Sequence, residues 1–118
     1  MKIRCRYAML LTFAAIMLGG CANNQWTRGD TYRHAALTGL MAADYLQTLQ
    51  IARNPDDYHE CNPILGEHPS PEKVTAYFLS SYAIITAASY ALPADVRPWL
   101  QYAVIGVEAG AVANNLSI

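Results

Sequence analysis

Two sets of residues in this sequence have side chains that could carry chemistry, and the first lies in the segment 59–68. His59, Cys61 and His68 offer nitrogen and sulfur donors of the kind that bind zinc. Their His-x-Cys-x6-His spacing matches no established zinc motif, and a structural zinc site normally needs four ligands. The sequence also has no Gly-x-Ser-x-Gly, His-Glu-x-x-His or glycine-rich phosphate loop. We therefore predict neither an enzyme nor a metal or cofactor site, with these three residues as weak metal candidates.

The second set contains two acids, Asp44 and Glu108, in apolar stretches of sequence. At about 100° per residue, Asp44 shares a helix face with Leu37 and Ile51. Glu108 has only Val, Ile and Ala three and four residues away on either side. A carboxylate in such surroundings must be hydrogen-bonded, face water or keep its proton. The groups that could satisfy the two acids are Arg33, His34, Gln47, Thr48, Gln101, Asn115 and the amides of the loop.

Three interpretations of these acids are open at this point. The favoured one is hydrogen bonding that fixes the register of the helices. The others are a polar pocket that binds an ion or carries a proton, and a face that is open to water. The candidate buried polar residues are therefore Asp44, Gln47, Thr48, Glu60, Asn62 and Glu108.

The amino-terminal segment 1–20 has the three-part plan of a secretory signal. Three basic residues are followed by an apolar run from Ala8 to Leu18, which is too short for an ordinary membrane span. The run ends at Leu18-Gly19-Gly20-Cys21, which resembles a bacterial lipobox. That resemblance implies cleavage before Cys21 and acylation of its sulfur and its new amine, so that the mature protein carries a covalent lipid. Cys5 would be removed with the signal, which leaves Cys61 as the one free thiol and no disulfide framework.

The rest of the chain predicts an all-α fold, a small antiparallel three-helix arrangement in a single domain over residues 31–118. Residues 21–30 are expected to form a tether. Asp30 or Thr31 is a suitable helix cap, and Ser70-Pro71-Glu72 is a typical helix start. Proline and glycine between Asn54 and Pro71 exclude a long regular element. The helices are expected at about 31–53, 71–92 and 96–115.

Two features of the later helices concern their surroundings. Residues 74–92 carry no charge over nineteen residues, and at 1.5 Å per residue this length of about 28 Å permits a membrane span. Five of the nineteen are Ser or Thr and five are Ala, however, so insertion is only marginally favourable and a packed soluble bundle is an open alternative. Gly106 and Gly110 form a Gly-x-x-x-Gly pair that would allow close approach of a second helix, in this chain or in a homo-oligomer.

Composition narrows the class of protein. Hydrophobic residues make up 53% of the chain and charged residues only 14%, a balance that excludes intrinsic disorder. Three of the eight Lys and Arg lie in the signal, so the mature chain has five basic and nine acidic residues and a net charge of −4. A nucleic-acid partner is not expected at that charge.

The loop Glu60-x-Asn62-Pro63-Ile64-Leu65-Gly66-x-His68-Pro69-Ser70, together with Asp44-Tyr45-x-Gln47-Thr48, resembles a family of small uncharacterised bacterial helical proteins of the membrane or lipoprotein type. The resemblance extends over about residues 32–115. It implies an architecture of three apolar helices with a Glu-x-Asn-Pro loop, and it implies no activity, substrate or cofactor. His59 and Cys61 fall outside the family pattern.

Together these features predict a lipoprotein of the bacterial cell envelope with a structural or interaction role. Its mature amino terminus would be periplasmic, and its partners would be membrane lipid and either an envelope protein or a second copy. Ala22 after the acylated cysteine permits sorting to the outer membrane, whereas apolar helices favour the inner one, so both are open. Two alternatives are a membrane-embedded protein that binds ions or protons through its carboxylates, and a soluble periplasmic bundle on a lipid anchor.

Overall fold

A computed structural model describes residues 24–117, so the predicted signal over residues 1–20 and the predicted acylation site Cys21 lie outside the described part. The described residues form three helices and contain no strand, which confirms the all-α prediction. They are α1 (Arg28–Arg53), α2 (Pro71–Ala91) and α3 (Arg97–Leu116). Within this range no helix is both long and apolar enough to cross a membrane.

Helix α1 begins earlier than the sequence predicts because of a reciprocal cap. The Thr27 hydroxyl accepts a hydrogen bond from the Asp30 amide, and the Asp30 carboxylate accepts one from the Thr27 amide at 2.8 Å. Such a capping box satisfies two helix-end donors at once. The expected cap at Asp30 or Thr31 is therefore wrong, and residues 28–30 belong to the helix rather than to a tether. Of the other five predicted helix boundaries, two agree with the observed ones and three differ by a single residue.

The loop between α1 and α2 is ordered by its own backbone and by two buried residues, Leu65 and Pro69. The Asn62 side chain accepts a hydrogen bond from the Ile64 amide at 2.9 Å, and the Glu60 amide donates to the Glu67 carbonyl at 2.8 Å. Leu65 is only 2% exposed and belongs to the core, so it fastens the loop to the helices. Helix α2 then begins as predicted, with the Ser70 hydroxyl as its cap.

A narrow hydrophobic core runs along α1, which packs against both other helices. Helices α2 and α3 touch each other much less. Because α1 makes most of the contacts, polar side chains on it can meet α3 near both ends. The core consists of Leu37, Met41, Leu49, Leu65, Val74 and Phe78.

The two glycines of the Gly-x-x-x-Gly pair lie on the outer face of α3. A Cβ added at Gly106 or Gly110 would meet no atom within 4 Å in the described part of the chain. Close approach of a second helix of this chain at the pair is therefore wrong. Contact with a second copy stays a prediction.

Alanine at either helix glycine is expected to stabilise the monomer. Gly106→Ala and Gly110→Ala should each raise the free energy of unfolding by about 0.5–1 kcal/mol, because alanine loses less backbone entropy in a helix and has free space here. Gly66→Ala is the contrasting variant: its φ of +83° strains any Cβ, so we expect a loss of roughly 1 kcal/mol. Chemical denaturation measures all three. A loss of stability at Gly106 or Gly110 would instead indicate a close contact with another molecule.

Candidate functional site

Two polar clusters lie inside the bundle, one near each end, and the first is built around Arg97. This side chain is fully buried at the start of α3. Its guanidinium donates to the Asp30 carboxylate and to the Gln25 carbonyl, each at 2.8 Å, and to the Asn24 carbonyl at 2.7 Å. The remaining N–H groups donate to the carbonyls of Ser89 and Leu92 at the end of α2. All five donors of the guanidinium are therefore used.

Asp30 is the anion of this cluster and is 1% exposed. Besides Arg97, it pairs with Arg33 at 2.6 Å, and its backbone carbonyl accepts from the Gln101 side chain at 3.2 Å. Burial by itself would raise the pKa of Asp30, but the hydrogen bonds from Thr27 and the two arginines outweigh burial and lower it to about 2. All five N–H groups of Arg97 and both carboxylate oxygens of Asp30 are occupied by protein partners, so we assign the cluster a structural role.

Sequence reasoning missed Arg97 and misassigned Arg33. Arg33 and His34 were possible partners of Asp44, whereas Arg33 pairs with Asp30 and His34 packs edge-on against Trp26 with ring centroids 5.8 Å apart. Burial lowers the pKa of His34, which favours the neutral ring. The Thr27-x-x-Asp30 spacing is the one signal that could have located this cluster, since it marks a capping box.

The second cluster contains three carboxyl groups and is the candidate functional site. Asp44 lies on α1, Glu108 on α3 and Glu60 in the loop, so three separate elements each supply one acid. In the described chain the salt bridges are Asp30–Arg33 and Asp30–Arg97, so no basic side chain pairs with any of these acids. Three acids therefore lie together without a counter-charge.

Neutral polar groups satisfy part of this cluster. The Asn115 amide donates to the Asp44 carboxylate at 2.8 Å and lies 3.3 Å from the Gln47 side-chain oxygen. The Thr48 hydroxyl, which is almost fully buried, donates to the same oxygen of Asp44 at 3.4 Å. One carboxylate oxygen of Glu60 accepts from the Asn62 amide at 2.9 Å. The candidates Gln47, Thr48, Glu60 and Asn62 thus all lie at or near Asp44.

Two carboxylate oxygens of the cluster are buried without a hydrogen-bond partner among the described residues. They are Oε2 of Glu60 and Oε2 of Glu108. Burial, the nearby charge of Asp44 and their mutual hydrogen bond raise the pKa of Glu108 to about 7. Burial also raises the pKa of Asp44, as does the charge of Glu60, against the opposing effect of its hydrogen bonds. A hydrogen bond between two carboxyl groups requires one proton, so the raised pKa values of Asp44 and Glu108 favour a pair that holds a proton between them.

A small, partly open cavity of about 160 Å³ adjoins Asp44 and is lined on one side by the loop. Its walls combine Asp44 and Thr48 of α1 with Glu60, Cys61 and Asn62 of the loop, among others. Glu108 lines a separate groove together with Met41, Tyr77 and Val104, among others. The site can therefore take up and release a proton, and it has room for water beside the shared proton.

The weak metal candidates do not converge. His59, Cys61 and His68 are all exposed, and Cys61 is a free thiol. Between residues 24 and 117 no three His, Cys, Asp or Glu side chains are placed to hold a metal ion.

An apolar groove lies apart from both clusters, between α1 and α2. It is a groove of about 330 Å³ lined by residues such as Met41, Tyr45, Phe78 and Tyr82. The Tyr45 and Thr75 hydroxyls are 3.1 Å apart across it. It contains no titratable group other than tyrosine and no nucleophile placed beside a base, so it does not extend the candidate site.

No protein-family model, curated protein or solved structure matches this chain. The resemblance in the loop 60–70 therefore stays a prediction, and function must be argued from the residues themselves.

Proposed function

We propose that this chain is a bacterial envelope lipoprotein without catalytic activity, anchored through acyl chains on Cys21 and holding its helical bundle against a membrane in a structural or interaction role. The lipobox-like Leu18-Gly19-Gly20-Cys21 supports the anchor. The observation that carries the proposal is the binding of the Asn24 and Gln25 carbonyls by the buried Arg97. This contact fastens the chain to the bundle three residues after the proposed acylation site.

The short distance from anchor to bundle determines the arrangement. Three residues from Cys21 to Asn24 span at most about 10 Å when fully extended. Each buried methylene of an acyl chain contributes about 0.8 kcal/mol, and two chains suffice for stable attachment. An anchored Cys21 would thus keep the bundle next to the lipid surface, in the position expected of a protein that contacts other envelope components.

Replacing the proposed acylation site should abolish lipid attachment. In cells labelled with a radioactive or alkyne fatty acid, Cys21→Ser is expected to remove the label completely and to leave the precursor uncleaved, because the thiol that accepts the lipid is gone. Globomycin, which blocks the lipoprotein signal peptidase, should also leave the precursor uncleaved. Cys61→Ser is the matched control, since Cys61 is exposed and distant from the amino terminus, and it should keep the label. Normal processing and labelling of Cys21→Ser would refute the anchor.

A second candidate function, proton binding at the carboxyl cluster, is favoured by one observation: Asp44 and Glu108 come from separate helices and lie together, partly buried, with no basic side chain of the described residues paired to either. The raised pKa of Glu108, about 7, lets this group change its charge in the range of ordinary envelope pH. The role predicts that Glu108→Gln and Asp44→Asn leave the fold intact and remove the proton uptake. A role confined to helix register predicts instead that the substitutions mainly change stability.

A further inference from the structure

All four exposed aromatic side chains of the described residues lie at one end of the bundle. Tyr32 and Trp99 are about three quarters exposed, and Tyr90 and Tyr102 are more than half exposed. Each ring lies within five residues of a helix end, which is less than about 8 Å along the axis. Because the helices are antiparallel, these are the start of α1, the end of α2 and the start of α3, joined by Arg97. We call this the aromatic end, consisting of Tyr32, Tyr90, Trp99 and Tyr102.

The rest of the described surface has a different apolar composition. Apart from Val96 at the aromatic end itself, the large exposed hydrophobic residues elsewhere are all aliphatic: Leu46, Ile64, Leu79, Ile84, Val107 and Leu116. Exposed apolar area is therefore distributed over the bundle, but exposed aromatic rings are not. Tyrosine and tryptophan combine an apolar ring with a polar tip, and they are enriched where a protein meets the headgroup level of a bilayer.

Charge is also distributed unequally between the two ends. The opposite end contains the segment from Arg53 to Lys73, which has five acids and only those two basic residues. Four of the five acids are exposed, and Glu60 is half-buried. At the aromatic end the exposed charged residues are Arg28 and Asp95, which balance each other. Bacterial membranes carry anionic lipid, so the acidic end is repelled from the surface and the neutral end is not.

The chain enters the bundle at the aromatic end. The Asn24 side chain contacts the Tyr90 carbonyl at 3.4 Å, and the Trp26 ring stacks on Tyr90 with centroids 4.3 Å apart. Cys21 lies three residues before Asn24, so an acyl anchor there holds this end within about 10 Å of the lipid.

We propose that the aromatic end is a membrane-binding surface that inserts its rings at the headgroup level of the bilayer carrying the Cys21 anchor, with the acidic loop end pointing away. The inference rests on the proposed lipid anchor and adds an orientation to it. The short distance from Cys21 to the bundle, the position of the exposed aromatic rings and the distribution of exposed charge all favour the same end of the molecule. A lipid surface is therefore the occupant that these observations support.

Tryptophan fluorescence tests this orientation directly, because the sequence has two tryptophans, Trp99 of the aromatic end and Trp26, which stacks on Tyr90. The mature lipidated protein is reconstituted into vesicles of phosphatidylethanolamine and phosphatidylglycerol whose acyl chains carry bromine near the headgroup. We expect strong quenching of the wild type. Trp99→Phe should lose about half of the quenching or more, since the half-buried Trp26 remains.

A matched control moves the exposed ring to the opposite end. Leu116 is 75% exposed and Trp99 is 76% exposed, so Trp99→Phe/Leu116→Trp changes position and not exposure. We expect no recovery of quenching in this double variant, and circular dichroism confirms that each variant is folded. Recovered quenching would show a bundle lying lengthwise on the bilayer and would overturn the orientation.

The remaining outcomes separate the inference from the proposed function. Unquenched wild-type protein that still floats with the vesicles retains its anchor, and it overturns the membrane-binding surface. That result would mean either a bundle standing clear of the bilayer or rings covered by a second copy. Protein that does not float with vesicles overturns both the anchor and the inference.

Discussion

Replacing Arg97 with methionine is expected to lower the free energy of unfolding by about 3–5 kcal/mol. Methionine fills most of the space of the arginine stem but donates no hydrogen bond. The substitution leaves Asp30 buried with Arg33 as its one cationic partner and removes the donors of four backbone carbonyls. Urea denaturation of the purified protein in mild detergent, followed by circular dichroism, measures the change.

Two further variants show whether the loss of stability comes from the buried ion pair of Arg97 and Asp30. Arg53→Met alters an exposed arginine at the end of α1 and should change stability by less than about 0.5 kcal/mol. Asp30→Asn combined with Arg97→Met should cost less than the two single changes added together, because the residues interact directly. Stability of Arg97→Met within about 1 kcal/mol of the wild type would contradict the central position that the structure gives to this side chain.

Removing the Glu108 carboxyl should change how stability depends on pH. The pKa of Glu108 is raised in the folded protein to about 7, from 4.5 for an unperturbed group. Its protonated form is the one favoured by folding, so its contribution is fully present below about pH 4.5 and is lost as the pH rises through 7. Glu108 is only half-buried, and after allowance for solvent screening we expect a loss of about 1–2 kcal/mol across that window.

Glu108→Gln should abolish most of this loss. The amide keeps the shape of the protonated acid and cannot ionise, so the variant should exceed the wild type in stability above pH 7. Glu67→Gln, in the exposed loop, is the control and should keep the wild-type pH dependence. At about pH 6, the infrared band of a protonated carboxylic acid should be present in the wild type and in Glu67→Gln and absent from Glu108→Gln. An unchanged pH profile in that variant would contradict the shared proton.

The contribution of Asp30 to stability changes with pH in the opposite direction and is lost at low pH. Its pKa is lowered to about 2, so its stabilising effect is present above its unfolded pKa of about 3.8 and is lost as the pH falls through 2. The two clusters together therefore place maximum stability in the mildly acidic range.

The helices were predictable because strong local signals bound them. Pro71 after Ser70 starts α2, and Asn54 before Pro55 ends α1. These signals involve residues next to each other, so no knowledge of packing is needed. The start of α1 was missed because its capping box ends in Asp30 rather than the more usual Glu or Gln.

Sequence could indicate the two acids of the candidate site but not their partners. Asp44 and Glu108 stood out because they interrupt apolar stretches, a local feature. Their mutual contact, by contrast, joins residues 64 positions apart, and no spacing rule gives that pairing. The same holds for Arg97, whose partner Asp30 is 67 residues away. An arginine flanked by proline reads as a loop residue, and only the folded chain shows that it is buried.

The most direct test of the whole account is the mass of the amino-terminal peptide of the mature protein, purified from membranes. We expect a peptide that begins at Cys21 and carries a diacylglyceryl group on sulfur and an acyl chain on nitrogen. A membrane-bound mature protein whose first residue is not Cys21, or whose Cys21 is unmodified, would contradict it.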